Sequence, residues 1–293
     1  MFRCLLRCTF CQTTCPPGLR QWEKRKMKHF HMVVQWILIP ALIFSAPALA
    51  AGELKLDYAA AINMAGRQRM LSQRITKSYL QVGLGANPEL SRIQLQESID
   101  QFDAQLRALA EFATASDIST AIKQVTDLWK PFRDKALATP GRADAEQLVR
   151  MDEPLLLACE HVVQLLEEAS GNHQGRLVNI SGRQRMLSQR LAKFYMVVAA
   201  GVGTPSVGEQ IQIAKAEFKE ALDSLSAAEV NTASIRDKLE AVGQQWIWLE
   251  SALNMQYDSS YPLIVADASE KILVLMELLT DMYARLDNSG MHW

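Results

Sequence analysis

The segment Asn63-Met-Ala-Gly-Arg-Gln-Arg-Met-Leu-Ser-Gln-Arg74 returns 116 residues later as Asn179-Ile-Ser-Gly-Arg-Gln-Arg-Met-Leu-Ser-Gln-Arg190. The same offset pairs Lys77 with Lys193 and Tyr79 with Tyr195. A chain that contains itself twice must fold as two related halves. At 100° per residue the segment splits into two faces. Met64, Leu71, Ile75, Tyr79 and Val82 gather on one side, as do Ile180, Leu187, Leu191, Tyr195 and Val198. That stripe is the core-facing side of a helix. The opposite side carries Gly66, Arg69 and Gln73 in one copy and Gly182, Arg185 and Gln189 in the other, flanked by Arg67, Arg74, Arg183 and Arg190.

The polar face is identical between copies while the apolar face drifts, Met64 becoming Ile180 and Ile75 becoming Leu191. Packing tolerates apolar swaps of similar volume, so identity on the other face needs a different cause. A mid-helix glycine costs roughly 1 kcal/mol against alanine and is commonly kept for close approach of a backbone or ligand. We therefore expect the two motif helices to meet across a pseudo-two-fold axis. Arg69 and Arg185 then converge.

Charge is unevenly distributed. Residues 1–50 hold 7 Lys or Arg and 1 acid, leaving 24 basic and 31 acidic residues beyond them in a chain of net charge -1. No acid occurs from Tyr58 to Pro88 or from Ala169 to Gly208. Two acid-free windows in an acidic chain favour local anion binding over a broad nucleic-acid surface. The sequence has 49% hydrophobic residues, enough for real cores.

Residues 27–50 read as a signal peptide: a basic start, an apolar run from Met32 to Ser45, and Ala48-Leu-Ala50 as a cleavage site. Residues 1–26, with Cys4, Cys8, Cys11 and Cys15, read as an upstream extension from a start placed too early. The expected location is periplasmic, without a stable membrane span. Beyond residue 50 only Cys159 remains, in an apolar helical stripe.

Periodicity then predicts eight helices and no hairpin. The first motif helix runs from Leu54 to Leu84, followed by Ser91 to Thr114, Ile118 to Leu137 with a kink at Pro131, and Ala143 to Ala169. After Gly171-Asn172 and Gly175 the order repeats: the second motif helix to Ala200, Val207 to Glu229, Ile235 to Met255, and Pro262 to Leu286. The fold class is all-α, two tandem antiparallel four-helix bundles spanning residues 51–170 and 171–293. Trp129, Trp246 and Trp248 are assigned to core or bundle-end packing.

On the two motifs, about a dozen residues each, the chain resembles the PilJ-type domain. That domain is the N-terminal sensory module of type IV pili methyl-accepting chemotaxis proteins, related to the nitrate-sensing domains of NarX and NarQ. In the nitrate sensors an Arg three residues after the Gly, one from each of two subunits, holds one nitrate at the dimer interface. The resemblance places that role on Arg69 and Arg185, and the later motif Arg on Arg74 and Arg190. Gln68 and Gln184 stand where those sensors carry an apolar residue. The implied function is an exported sensory protein that binds a small anion, nitrate or nitrite first. Arg69, Arg185, Gly66, Gly182, Gln73, Gln189, Arg74 and Arg190 form the candidate site. The sequence carries no transmitter up to Trp293, so occupancy is expected to be relayed to a membrane sensor, transporter or chemoreceptor. The alternative is an interaction module that docks another helical sensor and takes no small ligand. No catalytic constellation, metal-ligand spacing or cofactor fingerprint is found, so the chain is read as a non-enzyme.

Overall fold

The structure, a computed structural model, describes residues 56–170, 176–254 and 261–288. The described residues form one compact unit. The upstream extension and signal peptide expected at 1–26 and 27–50 lie outside the described residues, as does the break expected at Gly171–Gly175.

Eight helices make up the described part: α1 (Tyr58–Leu84), α2 (Pro88–Phe112), α3 (Ser116–Ala136), α4 (Arg142–Ser170), α5 (Arg176–Ala199), α6 (Val207–Ser226), α7 (Ala233–Asn254) and α8 (Tyr261–Asn288). In the first half α1 packs on α2 and α4, and α3 on α4; in the second half α5 packs on α6 and α8, and α7 on α8. The motif helices α1 and α5 pack on one another as closely as either packs within its own half. The all-α tandem-bundle architecture is thus present. Its halves are fused along the motif helices into a continuous core running from Leu71 and Tyr79 through Leu187 and Tyr195.

Local chemistry explains most of the boundaries. Asp57 caps α1 by accepting from Ala60 N–H at 2.8 Å, which satisfies one of the orphan donors of the first turn. Gly85 ends the helix in the left-handed region at φ 72°, a conformation glycine adopts without a Cβ penalty. Helix α2 starts at Pro88, earlier than Ser91, because Pro at the first helical position is preset for the helix and lacks only a donor that would be orphaned anyway. Gly85 is therefore the stop of one helix and Asn87-Pro88 the start of the next. Pro131 lies inside α3, which continues through it, and Pro154 does the same in α4.

One aromatic pair recurs in each half. Trp129 stacks on Phe102 with centroids 3.9 Å apart, and Trp246 on Phe218 at 4.4 Å. Phe102 and Phe218 stand 116 apart, whereas the tryptophans stand 117 apart, so the repeat slips by one residue between its second and third helices. The assignment of Trp248 to the core is corrected: it is 64% exposed. It neighbours Ile247, which is 63% exposed, on the solvent side of α7, while Trp246 and Leu249 face inward. Cys159 is buried, as expected of a lone cysteine in an apolar stripe.

Candidate functional site

Side chains on an α-helix tilt toward its N-terminus and cover the preceding turn. Arg69 accordingly folds back over Gly66, and Arg185 over Gly182. A Cβ at Gly66 would stand 3.2 Å from Arg69 Nη2, and one at Gly182 would stand 3.3 Å from Arg185 Nη2. The expectation of close approach by another backbone is corrected, since none stands within 4 Å of either Cβ position among the described residues. What they admit in this structure is the guanidinium of their own helix.

The two guanidinium groups line one cavity of about 790 Å³, together with Asn63, Gly66, Asn179 and Gly182. The N-terminal halves of α1 and α5 form two walls. Gln164, Glu167, Glu168 and Ser170 from the end of α4 form a third, Ala284 of α8 adds to the lining, and Asp57, Tyr58 and Arg176 also border the space. Tyr58, Ala60, Ile62 and Val178 supply apolar wall.

The pseudo-symmetric arginines differ in what they touch. Arg69 forms an ion pair through Nη1 with Glu160 of α4. Arg185 is 1% exposed, and its one hydrogen bond among the described residues is to a neutral group, Nη2 donating to Asn63 Oδ1 at 2.8 Å. Its Nε and Nη1 have no acceptor among the described residues. The residue equivalent to Glu160 by the 117 offset is Glu277, and that carboxylate lies 3.5 Å from Arg67 instead. Burial draws the Arg185 pKa down to about 10, with Arg67 and Arg69 adding to the fall and Glu277 and Asp281 opposing it. At neutral pH the group remains a cation. A buried cation lacking a hydrogen-bonded counter-charge is expensive, several kcal/mol per ion even after relaxation.

The remaining candidates lie deeper along the helices, away from the cavity. Gln73 donates to Asp152 Oδ1 at 2.7 Å, and Gln189 to the Ser269 carbonyl at 3.0 Å. Arg74 makes a two-pronged contact with Glu270, Nε at 3.1 Å and Nη2 at 2.7 Å, and also reaches Ser98. Arg190 pairs with Glu153 at 3.1 Å and lies over the Phe194 ring. The structure thus gathers Arg69, Arg185, Gly66 and Gly182 at one cavity and puts Gln73, Gln189, Arg74 and Arg190 into a structural seam. Gln68 and Gln184, also buried, donate to the carbonyls of Phe102 and Phe218.

That seam crosses between the halves. Lys193 of α5 forms a fully buried ion pair with Asp152 of α4, and Lys77 of α1 pairs with Glu270 of α8. Each motif helix therefore grips the last helix of the other half. Burial raises the Asp152 pKa and lowers that of Lys193, both against their mutual attraction. Glu270 differs: burial would raise it, but Lys77 and Arg74 together hold its carboxyl down at about 2.

These acids were not singled out from sequence, although one signal was available. Asp152 falls on the stripe Leu148, Leu155, Cys159 and Val162 of α4, a charge where the period calls for an apolar residue. Ser269 occupies the matching place on α8. A second hollow, a groove of about 480 Å³ between α6 and α7, is bordered by Leu222, Leu239 and Ile247. Its one arginine, Arg236, is tied to the Asn231 carbonyl. Among the described residues no three His, Cys, Asp or Glu side chains group as a metal site, and no helix is long and apolar enough to cross a membrane.

Comparison with protein families finds a match at residues 55–151 and again at 169–263 to one family, PilJ, described as the type IV pili methyl-accepting chemotaxis transducer N-terminal domain. The two matches cover both copies of the motif. Neither the comparison with curated proteins nor that with solved structures returns a match.

Proposed function

The chain belongs to the PilJ family of chemotaxis transducer N-terminal domains, in two tandem copies, and from that premise we propose that it is an exported sensory protein binding one small anion between its motif helices. The family's role is signal sensing rather than catalysis. The observation that carries the proposal is Arg185. It is a buried cation with two nitrogens, Nε and Nη1, that find no partner among the described residues, and it belongs to the lining of a cavity in which the facing Arg69 is already matched by Glu160.

A planar oxyanion or carboxylate suits this group, because the guanidinium fork matches two oxygens at once. Arg185 is the direct ligand, Asn63 fixes its orientation, and Arg69 adds field from the facing helix. Gly182 and Gly66 leave the room in which each guanidinium lies. Nitrate and nitrite are the first candidates by family resemblance. In this proposal residues 51–170 and 171–293 are two halves of one sensing unit, located in the periplasm after removal of 27–50.

Anion binding neutralises Arg185 and draws α1 and α5 together. The Lys77–Glu270 and Lys193–Asp152 pairs carry that shift to α8 and α4, biasing two arrangements of the halves. Occupancy is read by a membrane sensor, transporter or chemoreceptor docked on the outer helices. The test is the melting temperature in nitrate, nitrite, acetate, sulfate and chloride at matched ionic strength. Ligand at a hundred times its Kd should add about 2.7 kcal/mol to the native state. A shift with a planar anion that is absent in the double variant Arg69→Ala, Arg185→Ala supports the proposal. Indifference to every anion would reject it in favour of an interaction module without a small ligand.

A further inference from the structure

The cavity is far larger than a triatomic or tetra-atomic anion needs: about 790 Å³, within the range of roughly 300–1,000 Å³ that holds organic ligands. Its chemistry is also bipolar. The unpaired Arg185 cation lies at one place in the lining, and the carboxylate of Glu167 lies at another. Glu167 is half-buried and takes no hydrogen bond or ion pair through its side chain among the described residues. Burial pushes its carboxyl up against the pull of Arg69.

Glu167 stands seven residues, two helical turns, beyond Glu160, the partner of Arg69, so the free carboxylate and the guanidinium groups border different parts of the cavity. Between the two poles Tyr58, Ile62 and Val178 present apolar surface.

We propose that the occupant of this cavity is a zwitterion, an α-amino acid with an apolar side chain, its carboxylate held by Arg185 and its ammonium by Glu167. This inference rests on the anion-binding proposal above and names the ligand class for the same site. A simple dicarboxylate is disfavoured by the Glu167 pole, and a simple amine by the Arg185 pole.

The test is calorimetric titration of the purified protein with the apolar L-amino acids, each beside its des-amino carboxylate and its decarboxylated amine, with nitrate as the small-anion control. At least one amino acid is expected to bind about tenfold or more tightly than either of its single-charge analogues, the gain expected of one charge-assisted hydrogen bond. Glu167→Gln should erase that advantage, bringing the amino acid to the affinity of its des-amino carboxylate, while carboxylate and nitrate binding should not weaken, because a negative charge near the guanidinium groups is removed. Arg185→Lys should weaken amino acid and carboxylate together. If carboxylates or nitrate bind through Arg185 but no amino acid binds tighter, the zwitterion inference fails and the anion proposal stands. If neither amino acids, carboxylates nor nitrate bind, both fail. Tightest binding by an amine would overturn both as well.

Discussion

Replacing Lys193 by Met should unfold the protein far more readily than replacing both partners of its ion pair. Lys193 is 3% exposed and Asp152 is fully buried; they face each other from α5 and α4, with Gln73 donating to the second carboxylate oxygen. Removing the lysine alone leaves an ionised carboxylate buried with one neutral donor, which costs about 3–5 kcal/mol. For a cooperative unit of this size that corresponds to a fall in Tm of roughly 6–20 °C. The double variant Lys193→Met, Asp152→Asn removes both charges and keeps an acceptor for Gln73, so about 1 kcal/mol or less should be lost. Urea unfolding of the wild type, each single variant and the double variant measures the coupling. In Lys193→Met the isolated carboxyl has a folded-state pKa raised above its unfolded value. Its protonation favours the native state, so that variant should regain stability as pH falls toward the unfolded value, whereas the double variant should not. A loss below about 1 kcal/mol in Lys193→Met, with no pH-dependent recovery, would refute the claim that a buried cross-half pair is what joins α5 to α4.

Three further outcomes follow from the same geometry. Glu270 is held at about 2, below its unfolded value, so its contribution of roughly 3 kcal/mol is present above pH ~4.5 and lost as pH falls toward 2; an acid titration of stability should lose that component in Glu270→Gln. In Gly182→Ala the new Cβ meets only the end of the Arg185 side chain, at 3.3 Å. The helix should therefore gain up to about 1 kcal/mol while anion binding weakens, a split readable by melting with and without ligand. Trp246→Ala should cost about 3–5 kcal/mol by emptying the stack on Phe218, whereas Trp248→Ala, at an exposed site, should stay within about 0.5 kcal/mol; chemical denaturation compares them.

Much of this fold was legible because its signals are periodic. The repeat, the apolar stripe from Met64 to Val82 and the drift-free Gly-Arg-Gln face lie within one helix, where spacing alone fixes direction. The meeting of α1 with α5 was legible for the same reason, since a face that is neither solvent-like nor apolar must be matched by its own copy. The fate of Gln73, Arg74, Gln189 and Arg190 was not. Their partners Asp152, Glu153, Ser269 and Glu270 repeat at 117 rather than at the motif's 116, and Arg74 and Arg190 reach across to the other half, so the motif's own offset does not point to them. The inequality of Arg69 and Arg185 was equally hidden. Both motifs read the same, and both halves carry an acid at the matching position, Glu160 and Glu277; only the side-chain packing lets Arg67 divert the second. Pro88 and Pro131 illustrate the local limit, since Pro opens α2 and is tolerated within α3.

The most direct test of an uncompensated arginine poised for an anion is the side-chain N–H spectrum of Arg185 in 15N-arginine-labelled protein, its Nε–H signal assigned by its loss in Arg185→Lys. Addition of nitrate or of a carboxylate at constant ionic strength should move that signal saturably, and chloride should move it little. A signal that stays in place with every anion, while the protein remains folded, would contradict the account.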